Sequence, residues 1–411
     1  MAANPRYQWI LVLLLSFNFG IVFFDRNAFN FLVSFISPDL GLNQTQVGLI
    51  AGALSLSWAL AGLFVGRLSD AIGHRKAILV ITTVAFSAAS VLSGWATGFV
   101  TLLGARLLMG VAEGGIMPIS QTLIAAEVAP ERRGLAQGLA QNFGANIIAN
   151  SLGPIVIVAI ATSYGWRNAF FLSALPGFVM ALLIAWLIRE PAPVDKAAAK
   201  LAAKGEGGAM AMLANPRIAL CVVQSVLLVA FLVVFSVFTP NYLVQVRGID
   251  PQGMSLIMST FGFASIAIAF LVPGSSDRFG RRPVCIIAAA LGLILPLGIL
   301  ASTGTAGLPL VVSIALGAAM SGLFPLCMAT IPSELVGPGR QATVMSLTMG
   351  ISEIVGGVFG PALAGSLADR YGGSAPIWML AVLAVLIFVL ALRLPETAPV
   401  VLARRAAGRP A

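Results

Sequence analysis

Long apolar runs alternate with short polar segments along almost the whole chain. Each run is about 20 residues long, the length that an α-helix needs to cross a hydrocarbon core of about 30 Å. The pattern predicts six membrane-spanning helices in the first half of the chain and six in the second. Their predicted bounds are 8–32, 46–67, 77–96, 100–124, 135–160 and 168–188, then 217–240, 252–273, 283–301, 306–331, 341–367 and 375–394. The predicted fold class is therefore an all-α membrane protein.

The two sets of helices match each other, because residues of the same type recur 207 positions apart without a gap. The matching pairs include Gly41 and Gly248, Asp70 and Asp277, Gly73 and Gly280, Gly110 and Gly317, Glu127 and Glu334, and Arg133 and Arg340. Repeats of this kind mark transporters that alternate access around a central site at the repeat interface. The predicted organisation is an N-terminal bundle over 1–188, a linker over 189–216, a C-terminal bundle over 217–394 and a tail over 395–411.

The composition indicates that lipid is the solvent for most of this chain. Hydrophobic residues make up 59% of its 411 positions and charged residues only 9%, against about 25% charged residues in a soluble domain. Nineteen of the 24 Lys and Arg residues fall on the side of the predicted helices that carries both termini and the linker. By the positive-inside rule that side is the cytoplasm. We therefore expect a plasma-membrane protein (the inner membrane of a bacterium), with both termini cytoplasmic and a monomeric state.

The excess of basic residues does not indicate a nucleic-acid-binding protein. The net charge is +9, but the basic residues lie at the ends of apolar spans rather than on one face of a soluble fold. The three cysteines fall inside predicted spans, which argues against a disulfide framework. The apolar N-terminal stretch is too long for a secretory signal, and charged residues interrupt it, so we interpret it as a retained first helix.

Two loops, after the second and eighth predicted helices, share an aspartate, a glycine three residues later and a basic cluster. Asp70 begins this pattern in the first loop and Asp277 begins it in the second. An aspartate there can cap the positive N-terminus of a helix from the other half, or pair with an arginine. We expect Asp70 to meet Arg340 and Asp277 to meet Arg133 when the cytoplasmic side is closed. The predicted gate also includes the loop residues Arg75 and Arg281; the alternative is that both segments are ordinary basic loops.

The paired loops resemble those of major facilitator superfamily transporters, and the resemblance covers nearly the whole chain. The run Arg106-Leu-Leu-Met-Gly110 in the fourth helix is similar to that superfamily's Arg-xxx-Gly element. The second loop departs from the superfamily pattern at Pro273-Gly274. The helix-five signature of the superfamily's antiporters is only partly present, around Gly153-Pro154. This departure disfavours drug antiport.

Two shorter elements resemble the anion:cation symporter family within that superfamily. They are the run Phe23-Phe24-Asp25-Arg26-Asn27 in the first helix and the Gly-x-x-Glu-x-x-x-x-Pro pattern over residues 110–118 in the fourth. Members of this family carry organic anions, such as sugar acids and aromatic carboxylates, commonly with protons. The resemblance implies that Arg26 holds the substrate anion and that Asp25 and Glu113 take up the driving proton. It implies no cofactor, since a proton gradient supplies the energy.

Ionisable residues inside the predicted spans single out the same region without any resemblance. An Asp, Lys or Arg at a helix centre costs about 2.5–3.5 kcal/mol on insertion scales, and this condition holds for Asp25, Arg26, Glu113 and Glu353. A guanidinium offers a rigid fork of donors to a carboxylate. A carboxyl in an apolar site favours its neutral form, so it can take up and release a proton. The alternative for each acidic residue is a buried contact that only holds helices together.

Amide side chains follow the same helices at helical spacing. Asn30 lies four residues after Arg26, and Asn18 lies seven before Asp25, so the first helix is expected to present two polar faces to a cavity. Asn142 and Asn146 begin a predicted ladder of inward-pointing amides in the fifth helix. The predicted substrate-binding residues are therefore Arg26, Asn30, Asn142 and Asn146, and the predicted proton-coupling residues are Asp25, Glu113 and Glu353.

A membrane enzyme is the main rival from another class of function. The sequence shows no metal-ligand spacing and no nucleotide-binding loop, and its only histidine, His74, lies in the first basic loop. The preferred function is proton-coupled uptake of an organic carboxylate. A proton-coupled antiporter or efflux pump and a passive facilitator of a small organic solute remain open.

Overall fold

The computed structural model describes residues 5–129, 132–190, 210–302, 307–337 and 340–406. The helices of the first half are α1 Pro5–Leu40, α2 Gln44–Ile72, α3 Arg75–Gly94, α4 Phe99–Glu127, α5 with the segments Arg133–Gly138, Leu139–Phe143, Ala145–Leu152 and Gly153–Tyr164, and α6 Trp166–Leu187. Those of the second half are α7 Pro216–Gln245, α8 Pro251–Phe279, α9 Arg281–Ala301, α10 Leu308–Glu334, α11 with the segments Gln341–Ile354, Val355–Phe359 and Gly360–Tyr371, and α12 Ala375–Ala391.

The described helices confirm the predicted all-α membrane fold. Eleven of them, α1 to α11, are long and apolar enough to cross a membrane. The twelfth, α12, is apolar and has 17 residues, at the short end of the length that crosses a bilayer. The largest difference from the predicted bounds is in α1, which continues to Leu40 rather than ending near residue 32. It ends there because Gly41 adopts a positive φ of 63°, which terminates a helix readily.

Backbone geometry repeats between the halves as the sequence does. Six glycines in the described residues have positive φ, and they form three pairs 207 residues apart: Gly41 and Gly248, Gly73 and Gly280, and Gly165 and Gly372. Each of the six ends a helix of the bundle, so the two halves turn at equivalent points. We call the end of the bundle that carries the turns at Gly73 and Gly280 the basic end, and the other the opposite end.

The two halves are packed tightly from the middle of the bundle to the opposite end. A methyl group built on Gly48 of α2 would lie 2.1 Å from the carbonyl oxygen of Pro361 in α11. One built on Gly262 of α8 would lie 2.1 Å from the carbonyl oxygen of Asn150 in α5. Because real Cβ atoms need more room, these glycines let the backbones of the two halves touch.

Hydrogen bonds seal the halves at the opposite end. The exposed Asp369 carboxylate at the end of α11 accepts the backbone N–H of Gln44 at 2.9 Å, the backbone N–H of Thr45 at 2.8 Å and the Thr45 hydroxyl at 2.5 Å. We call this contact the α2–α11 clasp. Asn241 and Gln245 of α7 add bonds of 3.3 Å to Gln44 and to the carbonyl oxygen of Ser34. All five bonds lie at the opposite end, so the structure is closed there.

Towards the basic end the halves separate between α5 and α8. A cleft with a volume of about 200 Å³ lies between them. Its lining comes from the first half of α5 and the second half of α8: Leu135, Gly138, Leu139, Asn142, Phe143, Asn146, Ile266, Ala269 and Phe270. The same two helices are in backbone contact nearer the opposite end, so they diverge along their length.

The predicted linker and tail are described only in part. Residues 191–209 of the linker lie outside the described residues, and Met210–Ala214 forms a single 3₁₀ turn before α7. Within the predicted tail, Pro399–Ala406 is a short helix. The predicted domain bounds themselves stay a prediction.

Candidate functional site

Arg26 lies in the middle of α1 and is half-buried. Its guanidinium carbon is 5.5 Å from the ring centres of both Phe23 and Trp58, a distance at which the ring faces attract a cation. Its Nη2 donates to the Ser55 hydroxyl of α2 at 3.3 Å. Since a guanidinium has five N–H donors, and this is the only hydrogen bond that Arg26 makes in the described part of the chain, donors remain for a ligand.

Glu113 of α4 is buried, with 1% of its surface exposed. Neither of its carboxylate oxygens has a hydrogen-bond partner among the described residues. A charged carboxylate without hydrogen bonds in such a place costs free energy, so the neutral, protonated form of Glu113 fits its surroundings better.

Asp25 faces away from Arg26, into the N-terminal half. It is fully buried, and its Oδ1 accepts the hydroxyls of Ser90 at 2.5 Å and Ser173 at 2.8 Å. Asn18, on the same face, donates to the Thr83 hydroxyl at 3.4 Å. This corrects the prediction that α1 presents two polar faces to a cavity. The cause is the helical turn of about 100° per residue, which directs Asp25 against α3 and α6.

Arg106 of α4 is a second buried arginine, and it lies inside the N-terminal half. Its guanidinium carbon lies 5.3 Å from the ring centre of Phe29 and 4.9 Å from that of Phe170, and only 1% of its surface is exposed. Its Nη1 contacts Met109 Sδ at 3.2 Å, and its Nε and Nη2 have no hydrogen-bond partner among the described residues. Together with Glu353 of α11, the interior of the bundle contains three carboxyl groups and two guanidinium groups.

Four amides form a chain from α1 to α5. Asn30 donates to Asn27 at 3.4 Å, Asn27 donates to Asn150 at 3.1 Å, and Asn150 donates to Asn146 at 3.2 Å. The predicted ladder thus holds for Asn146 and also links it to Asn30.

Among the described residues Asn142 makes no hydrogen bond to this amide chain, but it lines the same cleft as Asn146, so its role in substrate binding stays a prediction. Its side chain is exposed in the cleft between α5 and α8 and donates to the carbonyl oxygen of Gly138 at 3.1 Å. The reason is local: Leu139–Phe143 and Ala145–Leu152 are π-helical. Hydrogen bonds between residues five apart shift side chains that would align at four-residue spacing in an α-helix.

Glu353 brings a carboxylate from the C-terminal half to the same region. It is half-buried in α11, and its Oε2 lies beside Gly357 together with Ser55 Oγ, the hydrogen-bond partner of Arg26. The π-helical segment Val355–Phe359 follows it, 207 residues after part of the π-helical segment of α5. Both halves therefore place irregular helix beside the central region, where π-bulges often accompany function.

Of the predicted gate residues, Asp277, Arg281 and Arg133 make contacts within their own halves in this conformation. Arg281 pairs with Asp277 at 2.5 Å and with Glu334 at 2.9 Å, and Arg133 donates to the carbonyl oxygen of Val128 at 3.0 Å. Arg75, in the first basic loop, is buried at the start of α3, and Arg340 lies just before the first segment of α11. The side chain of Asp70 lies outside the described part of the structure. The gate pairs were predicted for a bundle closed at the basic end, so they stay a prediction.

Several residues of the site carry no signal in the sequence. Ser90 and Ser173 donate to Asp25, and Ser55 accepts from Arg26, yet serines are common in membrane helices. Asn27 directly follows Asp25 and Arg26 in the sequence, so its position could have indicated that it belongs to the candidate site. Among the described residues, no group of three or more His, Cys, Asp and Glu side chains is arranged to hold a metal ion.

The family model of the Major Facilitator Superfamily matches residues 15–356 and 220–410 of this chain. The chain belongs to the Major Facilitator Superfamily. Among its relatives, a hexuronate transporter of Bacillus subtilis is 27% identical over 394 residues, which cover 90% of each chain. A probable sulfoacetate transporter of Cupriavidus necator is 24% identical over 86% of this chain and 85% of the relative. A multidrug resistance protein of Salmonella typhimurium is 26% identical over 78% of this chain and 79% of the relative.

Solved structures of facilitator transporters have the same fold. A bacterial homologue of the human lysosomal transporter Spinster, inward-facing and unoccupied, superposes with a TM-score of 0.77 at 19% identity and covers 100% of both chains. A D-xylose-proton symporter superposes with a TM-score of 0.75 at 18% identity and covers 95% of this chain and 99% of that one. The twelve-helix facilitator fold predicted from the sequence is thereby confirmed, and the protein is a membrane transporter rather than an enzyme.

Proposed function

We propose that this facilitator takes up a small organic carboxylate together with protons, by alternating access around Arg26. The observation that carries this proposal is the state of Arg26: a half-buried cation in mid-bundle, held by two aromatic faces and one serine. A guanidinium matches a carboxylate with two parallel hydrogen bonds. The guanidinium N–H groups of Arg26 that make no hydrogen bond to the protein would be available to a monocarboxylate.

The amide chain and the relatives support an organic acid as the cargo. The four linked asparagines offer both donors and acceptors beside Arg26, as hydroxyl or carbonyl groups of a substrate require. Relatives with similar chain coverage are named for hexuronate and sulfoacetate. A sugar acid or an aromatic acid is therefore the proposed class of cargo.

The balance of charge supports coupling to protons. The interior holds three carboxyls, on Asp25, Glu113 and Glu353, and two guanidiniums, on Arg26 and Arg106. A bound anion adds a further negative charge in a medium where an unbalanced charge is costly. Protonation of Glu113, which lacks hydrogen bonds, would offset that charge, so binding of anion and proton would favour each other. We assign the coupling first to Glu113 and Asp25, with Glu353 as the remaining acidic candidate.

The conformation fits one stage of such a cycle. With the opposite end closed, access to Arg26 runs from the basic end, which we propose to be the cytoplasmic side of a bacterial inner membrane. The structure would then be inward-facing. Closing the basic end would bring Asp70, Asp277, Arg133 and Arg340 together as the proposed gate.

Uptake by purified protein in liposomes tests this function. Labelled carboxylates are supplied outside, with and without an imposed proton gradient that is acidic outside. Accumulation that needs the gradient and collapses with an uncoupler is the expected result. Equilibration that ignores the gradient would instead identify a facilitator. Efflux of solute in exchange for protons would favour the antiport activity that the multidrug resistance relative suggests.

A further inference from the structure

Glu353 is the charged group through which the C-terminal half approaches the site of Arg26. A methyl group built on Gly357, one turn later in α11, would lie 3.2 Å from Glu353 Oε2 and 3.3 Å from Ser55 Oγ. The Ser55 hydroxyl is the group to which Arg26 donates. Glu353 and the Arg26–Ser55 pair therefore flank the same bare stretch of backbone, one from each half of the molecule.

The carboxylate of Glu353 has no partner of its own there. In the described residues it accepts no hydrogen bond, and it is not within the 4.0 Å of Arg26 that an ion pair requires. It is half-buried, so water replaces a partner only in part. A carboxylate in this position is satisfied when a ligand offers it an N–H or O–H donor, and it is repelled by a second anionic group.

We propose that Glu353 selects the cargo: it accepts a hydrogen bond from a hydroxyl or ammonium group of a monocarboxylate and rejects dianions. Arg26, in the N-terminal half, binds the single carboxylate of the cargo. Glu353, in the C-terminal half, accepts the hydrogen bond from the hydroxyl or ammonium group at the other end of the cargo. This inference rests on the proposed function, and it adds a rule for which organic acids are carried. Such a rule uses repulsion as well as attraction, as specific sites commonly do.

The test compares matched acids that differ by one carboxylate: galacturonate with galactarate, lactate with malate, and nicotinate with quinolinate. Exchange of each acid is measured across liposomes with no proton gradient, so the result does not depend on coupling. The unmodified protein should exchange the monocarboxylate of a pair at least about tenfold better than the dicarboxylate. Glu353→Gln, which keeps the size and removes the charge, should reduce this ratio to within about threefold. Glu353→Asp keeps the charge and should retain the rejection of dianions.

The possible outcomes separate a failure of the selection rule from a failure of the proposed function. Equal exchange of both members of a pair by the unmodified protein would overturn the selection rule while leaving the proposed function intact. So would an unchanged ratio in Glu353→Gln with normal melting temperature and normal monocarboxylate exchange. Loss of gradient-driven accumulation alone in that variant would make Glu353 a proton carrier instead. If the unmodified protein exchanged none of the monocarboxylates, the proposed function would fail, and this inference with it.

Discussion

Arg26 differs from the other buried arginine in what surrounds its charge. Arg106 is enclosed by two phenylalanine rings with 1% of its surface exposed, so it serves the packing and charge balance of the N-terminal half. Arg26 is half-buried and makes one hydrogen bond to a neighbour. The difference between the two residues lies in access, and access is what a binding residue needs.

Replacement of Arg26 should remove substrate binding before it affects folding. In Arg26→Ala the carboxylate of the cargo would lie unpaired in a low-dielectric site, a loss of about 2–5 kcal/mol. Arg26→Lys should restore little of it, because an ammonium lacks the planar fork. Thermal-shift titration of the purified variants with the transported acid measures the change. Arg167→Lys, at the ion pair with Asp39 on the opposite end, is the control and should bind normally; unaltered affinity in Arg26→Ala would remove Arg26 from the site.

Glu113 should control coupling rather than binding. Glu113→Gln resembles a carboxyl that is always protonated, and the present one makes no hydrogen bond that the amide would break. The variant should bind and exchange the cargo across liposomes, yet fail to accumulate it against a gradient. Acidic external medium should stimulate uptake by the unmodified protein and leave this variant unaffected. Gradient-driven accumulation that survives in both Glu113→Gln and Asp25→Asn would contradict the assignment of these two residues.

The charged residues of the candidate site could be selected from the sequence, but the direction in which each side chain points could not. A charge inside an apolar run is visible because its insertion is costly, and so Asp25, Arg26, Glu113 and Glu353 stood out. Which way each points depends on the rotation of its helix against its neighbours. Asp25 was expected at a cavity, whereas tertiary packing buries it against two serines.

Among the helices, α2 and α11 form one of the contacts that close the opposite end. Their backbones meet at glycines, and the clasp of Asp369 ties the end of one to the start of the other. The clasp joins a carboxylate to the positive N-terminus of a helix, a favourable arrangement on electrostatic grounds. It has no copy at the other interface, because position 162, which is 207 residues earlier, is a threonine.

Weakening the clasp should shift the transporter towards opening at the opposite end. Asp369→Asn keeps the size but removes the negative charge at the N-terminus of α2, an interaction worth about 0.3–1 kcal/mol. Spin labels replacing Tyr164 and Tyr371, exposed at the opposite end in different halves, should show a larger population of long distances. The three native cysteines are buried and should not compete for label.

The matched control for the clasp lies at the same end. Asp39→Asn removes the negative charge of the ion pair with Arg167 within the N-terminal half, so it should leave the distances between the halves unchanged. Equal shifts in the two variants would mean that the effect comes from surface charge rather than from the clasp.

The sequence predicted the positions of the helices more accurately than their internal geometry. Apolar runs of fixed length specify spans through the thickness of the bilayer alone. The π-helical segments of α5 left no such signal, since their residues suit an α-helix equally well, and Asn142 there donates to the carbonyl oxygen of Gly138 instead of to the next amide. The extension of α1 to Leu40 includes the apolar residues Val33, Phe35 and Ile36, and the helix ends only where Gly41 adopts a positive φ.

On the scale of the whole molecule, the one-sided distribution of Lys and Arg predicts the orientation in the membrane. Reporter fusions after Lys204, in the linker, should show cytoplasmic activity, and fusions after Asn43, between α1 and α2, should show external activity. The physical reason is that basic segments resist transfer across the membrane. An external signal at Lys204 would reverse the proposed orientation and with it the direction of the inward-facing state.

The repeat and the central position of the site were predictable because both follow from residue identity at a constant spacing. The conformation was not predictable, since one sequence encodes both ends of the transport cycle and the two states differ by only a few kcal/mol. Asp277 illustrates this point. In this state it pairs with Arg281 in its own half, whereas its predicted partner Arg133 belongs to a state closed at the basic end.

The start of α2 carries two caps of different origin, and this makes it a reporter of the cycle. Asn43 and Gln46 cap the helix locally, each accepting the backbone N–H of the other at 3.0 and 2.8 Å, as in a capping box. The amides of Gln44 and Thr45 depend instead on the clasp from the other half. When the opposite end opens, the helix should therefore stay folded while only these two amides become free to exchange with deuterated water. Their exchange rate, read against the steady amide of Gln46, would give the fraction of time that the transporter spends open at that end.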